Sequence, residues 1–461
     1  FPITKREFPV VGGEKKPLVY LDHAASTHPP IQVMDSVLEF LANNYSNIHR
    51  GNHNLSVISS EIFDETARVI ADFISADLAD NTIIMTNNTT TALDIASFAM
   101  SHEDGITLST EMEHHSNDLT HRRRGKVGHV NIMDDGSLDL EDLEKKLQEN
   151  KVKLVAVTGA SNVTGFMPDI HRVASLAHDF KAKILVDGAQ LFAHNGINVK
   201  KFSHSKHIDF IACAGHKSYA PYGSAFLMAP KELMDNVSPY IPGGGTISYV
   251  SLEEALWLGS PDRHQGGTPN IVGALAISSA IRFLKKIGME NIREHEKGLY
   301  TLALKELENK DGITVYGPKN PGHCTGIVTF NFGKVHHELA SAVLNYEAAI
   351  ATRNGCFCAH PYLQRLLRIN DREKFKQDVI LGKKINLPGA VRASFGIFNT
   401  KGEVKELAEM IVNIQNGKLR GNYAPYKEKT YVPEGFESFM RHEVLGSRNL
   451  YGKRLGMQNG A

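Results

Sequence analysis

From about residue 58 to residue 287, short apolar runs alternate with amphipathic stretches. NTIIMT (Asn81–Thr86) is followed by the helical pattern TALDIASFAM, and KLVAVTG (Lys153–Gly159) by HRVASLAHDF. KILVDGA (Lys183–Ala189), DFIACA (Asp209–Ala214) and SAFLMA (Ser224–Ala229) come next. Short apolar runs separated by helices predict an α/β fold, a mostly parallel sheet covered by helices on both faces. Beyond it, GMENIREHEKGLYTLALKELENK (Gly288–Lys310) has the pattern of a long amphipathic helix whose leucines face a core. GIVTFNF (Gly326–Phe332) and VRASFGIFNT (Val391–Thr400) then predict a second, smaller α+β domain. The expected organisation is an N-terminal segment 1–50 associated with the small domain, a large domain 51–290, the small domain 291–415 and a tail 416–461. The tail is rich in Gly, Tyr and Lys/Arg, and is expected to wrap the small domain or to be partly disordered.

In an open parallel sheet, ligands bind beyond the carboxyl ends of the strands. The polar residues at those ends therefore carry the functional argument. After IIM come hydroxyls opening a helix, with Thr89 and Thr90. After ITLST come His114 and His115; after LVAV, Asn162; after KILV, Asp187 and Gln190; after DFIACA, His216 and Lys217. All five ends face one crevice. A lysine just past a buried strand, in CAGHKSYAPYGS (residues 213–224), suggests an amine that reacts. Together these residues suit pyridoxal phosphate. Lys217 would hold its aldehyde as a Schiff base, and Asp187 would keep the pyridine nitrogen protonated. Thr89 and Thr90 would take the phosphate at a helix N-terminus. His114 would stack on the ring, and Asn162 and Gln190 would hydrogen-bond its O3′ oxygen. Singly, each has a plainer reading as a cap, an Asx-turn or an exposed lysine; the ordered set does not.

At this point the chain resembles a known family, the class V aminotransferases of fold type I, in particular their cysteine desulfurase and selenocysteine lyase branch. The resemblance rests on YLDHAAS (Tyr20–Ser26), NIHRGNHNLS, TTTA, EHHSN, SNVTG, VDGAQ, GHKSYAPYG, GGTPN, RNGCFCA and VRASFGIFNT, in the family's order from about residue 18 to 415. It implies a pyridoxal-phosphate enzyme acting on a cysteine-like amino acid, and a homodimer in which Thr268 reaches the partner's phosphate group. It also implies that Arg392 binds the substrate carboxylate, with Arg353 and His49 as further substrate-side residues. The family's spacing selects Cys358 as the thiol that attacks the substrate sulfur. Cys356 is then a bystander or a relay. Cys213 and Cys324 are expected to be structural. Lys217 is expected to carry the proton, with His114 second. His49 and His53, spaced i, i+4, have no third ligand and are read as interface or substrate-entry residues; no metal is expected. Alternatives are another class V reaction (an aminotransferase, an epimerase or a C–S lyase), or a cofactor-less scaffold. THRRRG (Thr120–Gly125), where many relatives have Pro-Trp, is read as a solvated basic loop.

The remaining expectations come from composition. Lys+Arg and Asp+Glu both number 51, a balance that suggests neither a nucleic-acid nor a membrane partner. Four cysteines in 461 residues make no disulfide framework, which predicts a reducing, cytoplasmic setting. No run reaches membrane-spanning length, and no signal peptide is expected. A sulfur-acceptor protein is a possible partner.

Overall fold

The computed structural model describes residues 1–49, 51–369, 371–383, 387–426 and 430–435. Seven strands form the large sheet: β1 (Asn81–Thr86), β2 (Ile106–Thr110), β3 (Val127–Val130), β4 (Val152–Thr158), β5 (Lys183–Asp187), β6 (Phe210–Ala214) and β7 (Ala225–Pro230). Their spatial order is β1-β7-β6-β5-β4-β2-β3. Only β7 runs against the others, pairing antiparallel with both β1 and β6. Strands β4 to β7 are apolar along nearly their whole length because both faces are covered. One face packs on Val155, Val157, Ile184 and Ile211 with the larger core, and the other buries Ile84, Leu93, Ala156 and Leu185.

The second unit is a four-stranded antiparallel sheet. β8 (Ile313–Tyr316), β9 (Ile327–Phe332), β11 (Ala390–Ser394) and β10 (Arg353–Gly355) lie in that order. Helices Met289–Leu307, His337–Ala348 and Lys401–Gln415 accompany it. The first matches the amphipathic stretch expected there, and its buried residues include Leu299, Leu304 and Leu307. The N-terminal segment joins this unit. Val19–Tyr20 pairs in parallel with Ile350–Ala351, and the Ser394 amide donates to the Leu21 carbonyl at 2.8 Å. That pairing carries residues 22–27 across to the carboxyl ends of the large sheet, where the Thr27 amide donates to the His216 carbonyl at 2.8 Å.

The basic run at 120–125 is helical as far as Arg122 and a turn beyond it; Arg122, Arg123 and Gly125 are exposed, as expected of a solvated segment, but its arginines are paired. Arg122 pairs with Asp118 one turn back, at 2.6 Å. Arg124 reaches Asp94 with two guanidinium nitrogens at 3.1 and 2.9 Å, and lies over the Phe98 ring. Carboxylates on this and a neighbouring helix absorb those charges, and no linear pattern announces them. The start of the tail is likewise ordered. Tyr423–Tyr426 and Thr430–Pro433 pair as antiparallel strands, and Glu347 accepts the amides of Arg420 and Gly421. The stretch 436–461 lies outside the described residues.

Helix Lys401–Gln415 opens with a capping box. Thr400 Oγ1 accepts the Glu403 amide at 3.3 Å, and Glu403 accepts the Thr400 amide at 2.6 Å. Thr400→Ala should lower stability by about 1 kcal/mol in denaturant unfolding, because it leaves an N-terminal amide without its acceptor. No measurable loss would show that the box contributes nothing here.

Candidate active site

The turn that carries Lys217 is held from several sides. β6 ends at Ala214, and Gly215–Lys217 form a single 3₁₀ turn. The Gly215 amide donates to the Ser224 carbonyl at 2.7 Å, and the Ser218 amide returns to the Gly215 carbonyl at 2.7 Å. A Cβ at 215 would stand 3.0 Å from that Ser224 oxygen and closer still to the Ser224 side chain, so glycine is required. Ser26 Oγ donates to the His216 carbonyl at 3.0 Å. Lys217 lines a cavity of about 480 Å³ at the carboxyl ends of β2, β4, β5 and β6.

The cavity brings together Thr89, Thr90, His114, Asn162, Asp187, Gln190, His216, Lys217, Arg353, Cys358 and Arg392. Two residues named from the sequence lie outside it, one of them, Thr268, having been expected at the partner's cavity and not at this one. Thr268 is exposed and does not line it. His49 also lies apart, 3.3 Å from Asp64 through Nε2.

Each wall has a physical logic. Asp187 ends β5 fully enclosed, accepting the Ala189 amide at 3.0 Å. Burial pushes its carboxyl pKa up, against the pull of that amide and of Lys217. Burial also draws the Lys217 amine down to about 8, with Asp187 opposing. His114 is held down to about 4 by burial and then by Lys217, so its ring is neutral at ordinary pH. Its Nδ1 accepts the Ser116 amide at 3.1 Å, which places the ring proton on Nε2. Asn88 caps helix Thr89–Met100 by accepting the Thr91 amide, so the positive end of the helix faces the cavity.

Four buried polar atoms of cavity residues have no hydrogen-bond partner in the protein. They are Thr89 Oγ1, Gln190 Oε1, His216 Nδ1 and Arg392 Nε. Such atoms are rare in a native interior unless something else meets them. A ligand with anionic groups would satisfy a hydroxyl, an imidazole and a guanidinium N–H placed this way, while the Gln190 oxygen calls for a donor.

The nucleophile candidates separate clearly. Cys358 is exposed at the cavity, and Cys356 is not among the lining residues. Cys356 Sγ donates to the Pro388 carbonyl at 3.2 Å, and burial raises its thiol to about 11. The loop around Cys358 is unusual. Phe357 and Cys358 both have left-handed φ, 52° and 53°, a conformation that costs a non-glycine residue about 1 kcal/mol or more. Three contacts hold it. Asn162 donates to the Phe357 carbonyl at 2.6 Å, the His115 amide donates to the Cys358 carbonyl at 2.7 Å, and the Arg392 guanidinium lies over the Phe357 ring.

A model of the class V aminotransferases matches residues 19–407. The chain belongs to the class V aminotransferase family. It is 32% identical to a cysteine desulfurase of Haloferax volcanii, over 89% of this chain and 94% of that one. It is 33% identical to a cysteine desulfurase of Escherichia coli, over 88% and 95%. Among solved structures, a cysteine desulfurase of Thermococcus onnurineus superposes with a TM-score of 0.76 at 32% identity, covering 87% of this chain and 95% of that one. The fold is thus the α/β fold of this family, with its mostly parallel sheet, as the strand pattern predicted.

Several groups of this class V site carried no sequence signal of their own. Glu113 is buried beneath His114 and accepts from Thr110 Oγ1, Asn117 Nδ2 and the Thr158 amide. It ties the ends of β2 and β4 together. Asp22 binds Arg353 and Arg392. Both acids lie inside motifs that pointed to the family, but only the folded chain gives them partners.

With Lys217 drawn down to about 8, its amine is largely unprotonated at pH 9 and largely protonated at pH 7. Labelling of the cofactor-free protein with an amine reagent should therefore reveal one lysine whose rate rises through about pH 8 and disappears in Lys217→Ala. A rate that rises only near the ordinary 10.5 would contradict this environment.

Proposed function

We propose that the chain is a pyridoxal-phosphate-dependent cysteine desulfurase, converting L-cysteine to L-alanine and leaving the sulfur as a persulfide on Cys358. The observation that carries this reading is the single cavity in which Lys217, Asp187, Arg392 and an exposed Cys358 meet. The unpartnered Thr89 Oγ1 and His216 Nδ1 fit the phosphate end of the cofactor as donors. When bound, pyridoxal phosphate supplies an aldehyde that condenses with an amino group and a ring that takes up electrons.

The protein's groups divide the remaining work. Lys217 would hold the aldehyde carbon at rest and would later move a proton at the substrate's α carbon, a task suited to an amine near pKa 8. Asp187, whose burial disfavours a lone negative charge, would be stabilised as a carboxylate by the cationic ring nitrogen it holds. Thr89, Thr90 and the helix N-terminus behind them would hold the phosphate. Neutral His114 would cover the ring and offer Nε2–H. Asn162 and Gln190 would orient the ring oxygen through their amide N–H groups. Arg392 takes the substrate carboxylate, leaving its sulfur to face Cys358.

The Cys358 thiolate then attacks that sulfur. The new S–S bond forms as the substrate's C–S bond breaks. The bonding pair stays with the β carbon, which gains a proton and becomes the methyl group of alanine. Carbon is reduced, sulfur is oxidised, and Cys358 carries a persulfide for a thiol acceptor to discharge. Cys356, half-buried and fastened to Pro388, takes no part.

The unit is a homodimer in this reading. Leu38, Leu41, Leu55 and Val57 are exposed on helices Ile31–Asn43 and Asn54–Ile74, which share the small core of Phe40 and Phe63. An apolar face of this kind suits a second copy. Thr268, exposed and outside its own cavity, would reach the partner's phosphate.

The deciding assay is anaerobic incubation with L-cysteine and a reductant, scoring sulfide and alanine together. Equal amounts are expected. Cys358→Ala should lower both by at least about a hundredfold while the visible cofactor band remains. Cys356→Ser should retain most activity. Pyruvate and ammonia with the sulfide, or full activity in Cys358→Ala, would reject desulfurization by this route.

A further inference from the structure

Arg353 and Arg392 stand directly opposite one another on neighbouring antiparallel strands, β10 and β11. Like charges in that relation destabilise a sheet. The problem is sharper here because Arg392 is only 2% exposed, where water screens least. Asp22 resolves it, brought in by the N-terminal segment. Its Oδ2 accepts Arg353 Nε and Nη2 at 3.0 and 2.8 Å, and its Oδ1 accepts Arg392 Nη2 at 3.2 Å. Arg392 Nη1 donates to the Asn162 carbonyl at 2.7 Å, and its buried Nε donates to nothing.

The charge count follows. Two guanidiniums and one carboxylate leave one net positive charge at this end of the cavity, and the buried Nε of Arg392 is without a partner. That matches a single carboxylate. We propose that Asp22 sets the charge specificity of the site. By neutralising one of the two arginines, it fits the cavity to amino acids whose side chain is uncharged and disfavours those carrying a second anionic group. The inference rests on the reading of Arg392 as the carboxylate ligand. Asp22 is a positioning residue, acting through Arg353 and Arg392.

Arg353 and Cys358 line the same cavity as Arg392. A substrate anchored by its carboxylate on Arg392 and pointing its side chain at Cys358 therefore passes Arg353. While Asp22 holds Arg353 in a two-nitrogen grip, that guanidinium has little attraction left for a side-chain anion. Without Asp22 it would draw one in.

The test needs no turnover. Dissociation constants of propanoate and succinate, with one and two carboxylates and no amine, are measured by calorimetric titration of the holoenzyme. In Asp22→Asn, succinate should tighten roughly tenfold relative to propanoate. Arg353→Gln keeps Asp22 and removes a cation, so the ratio should move the other way. It also decides the matter alone if Asp22→Asn, which leaves Arg392 without its carboxylate, does not fold. General damage would weaken both ligands together and leave their ratio fixed. A ratio unchanged in both variants, with propanoate binding normally to the unsubstituted enzyme and weakened by Arg392→Lys, would overturn the role of Asp22 alone. Propanoate binding indifferent to Arg392→Lys would overturn the reading of Arg392, and the proposal with it.

Discussion

A parallel strand covered on both faces has nowhere along its length for an unpaired polar side chain. Burying one without a partner would cost about 1–3 kcal/mol. Polar groups are therefore pushed to the strand ends, and in a sheet whose strands run one way the carboxyl ends all open on the same side. The cavity of this protein follows from that constraint. β2, β4, β5 and β6 deliver His114, Asn162, Asp187 and Lys217 within a few residues of their last apolar positions. Enclosure then sets their chemistry: the same low-dielectric surroundings lower the amine of Lys217, lower the imidazole of His114 and raise the carboxyl of Asp187.

The large sheet alone leaves the cavity without a thiol or a guanidinium. The small sheet contributes both, from β10, β11 and the loop between Arg353 and Cys358. Its junction with the large unit is made largely of backbone acceptors. Asn162, on the large unit, donates to Phe357 and lends its own carbonyl to Arg392. The residues that position the cavity's contents are thus the same ones that join the two units. The left-handed backbone at Phe357 and Cys358 fits this view. It is a strained segment, kept in place by Asn162 and His115, that turns Cys358 outward while Cys356 turns in.

Much of this was legible in the sequence because strand ends are. An apolar run followed by a polar residue marks a carboxyl end, and Lys217, Asp187, Asn162 and His114 were found that way. The helix opened by Thr89 was legible through its hydroxyl cluster. Asp22 and Glu113 were not, because nothing local distinguishes a structural carboxylate from a turn residue. Asp22 acquires its meaning from Arg353 and Arg392, more than 300 residues away along the chain. The pairing within the basic run at 120–125 was hidden for the converse reason. Its charge was visible, but Asp94, the partner of Arg124, lies 30 positions back on another helix. His49 and Thr268 were taken from motif resemblance, and the fold of one chain places neither in its own cavity.

Whether the sulfur passes to Cys358 is tested directly by brief anaerobic exposure of the holoenzyme to L-cysteine without reductant, followed by fragmentation mass spectrometry of the Arg353–Ala359 region. The expected result is the added mass of one sulfur atom on Cys358, none on Cys356, and an equivalent of alanine in solution. Alanine and sulfide formed with Cys358 unmodified, or the added sulfur found on Cys356, would contradict it.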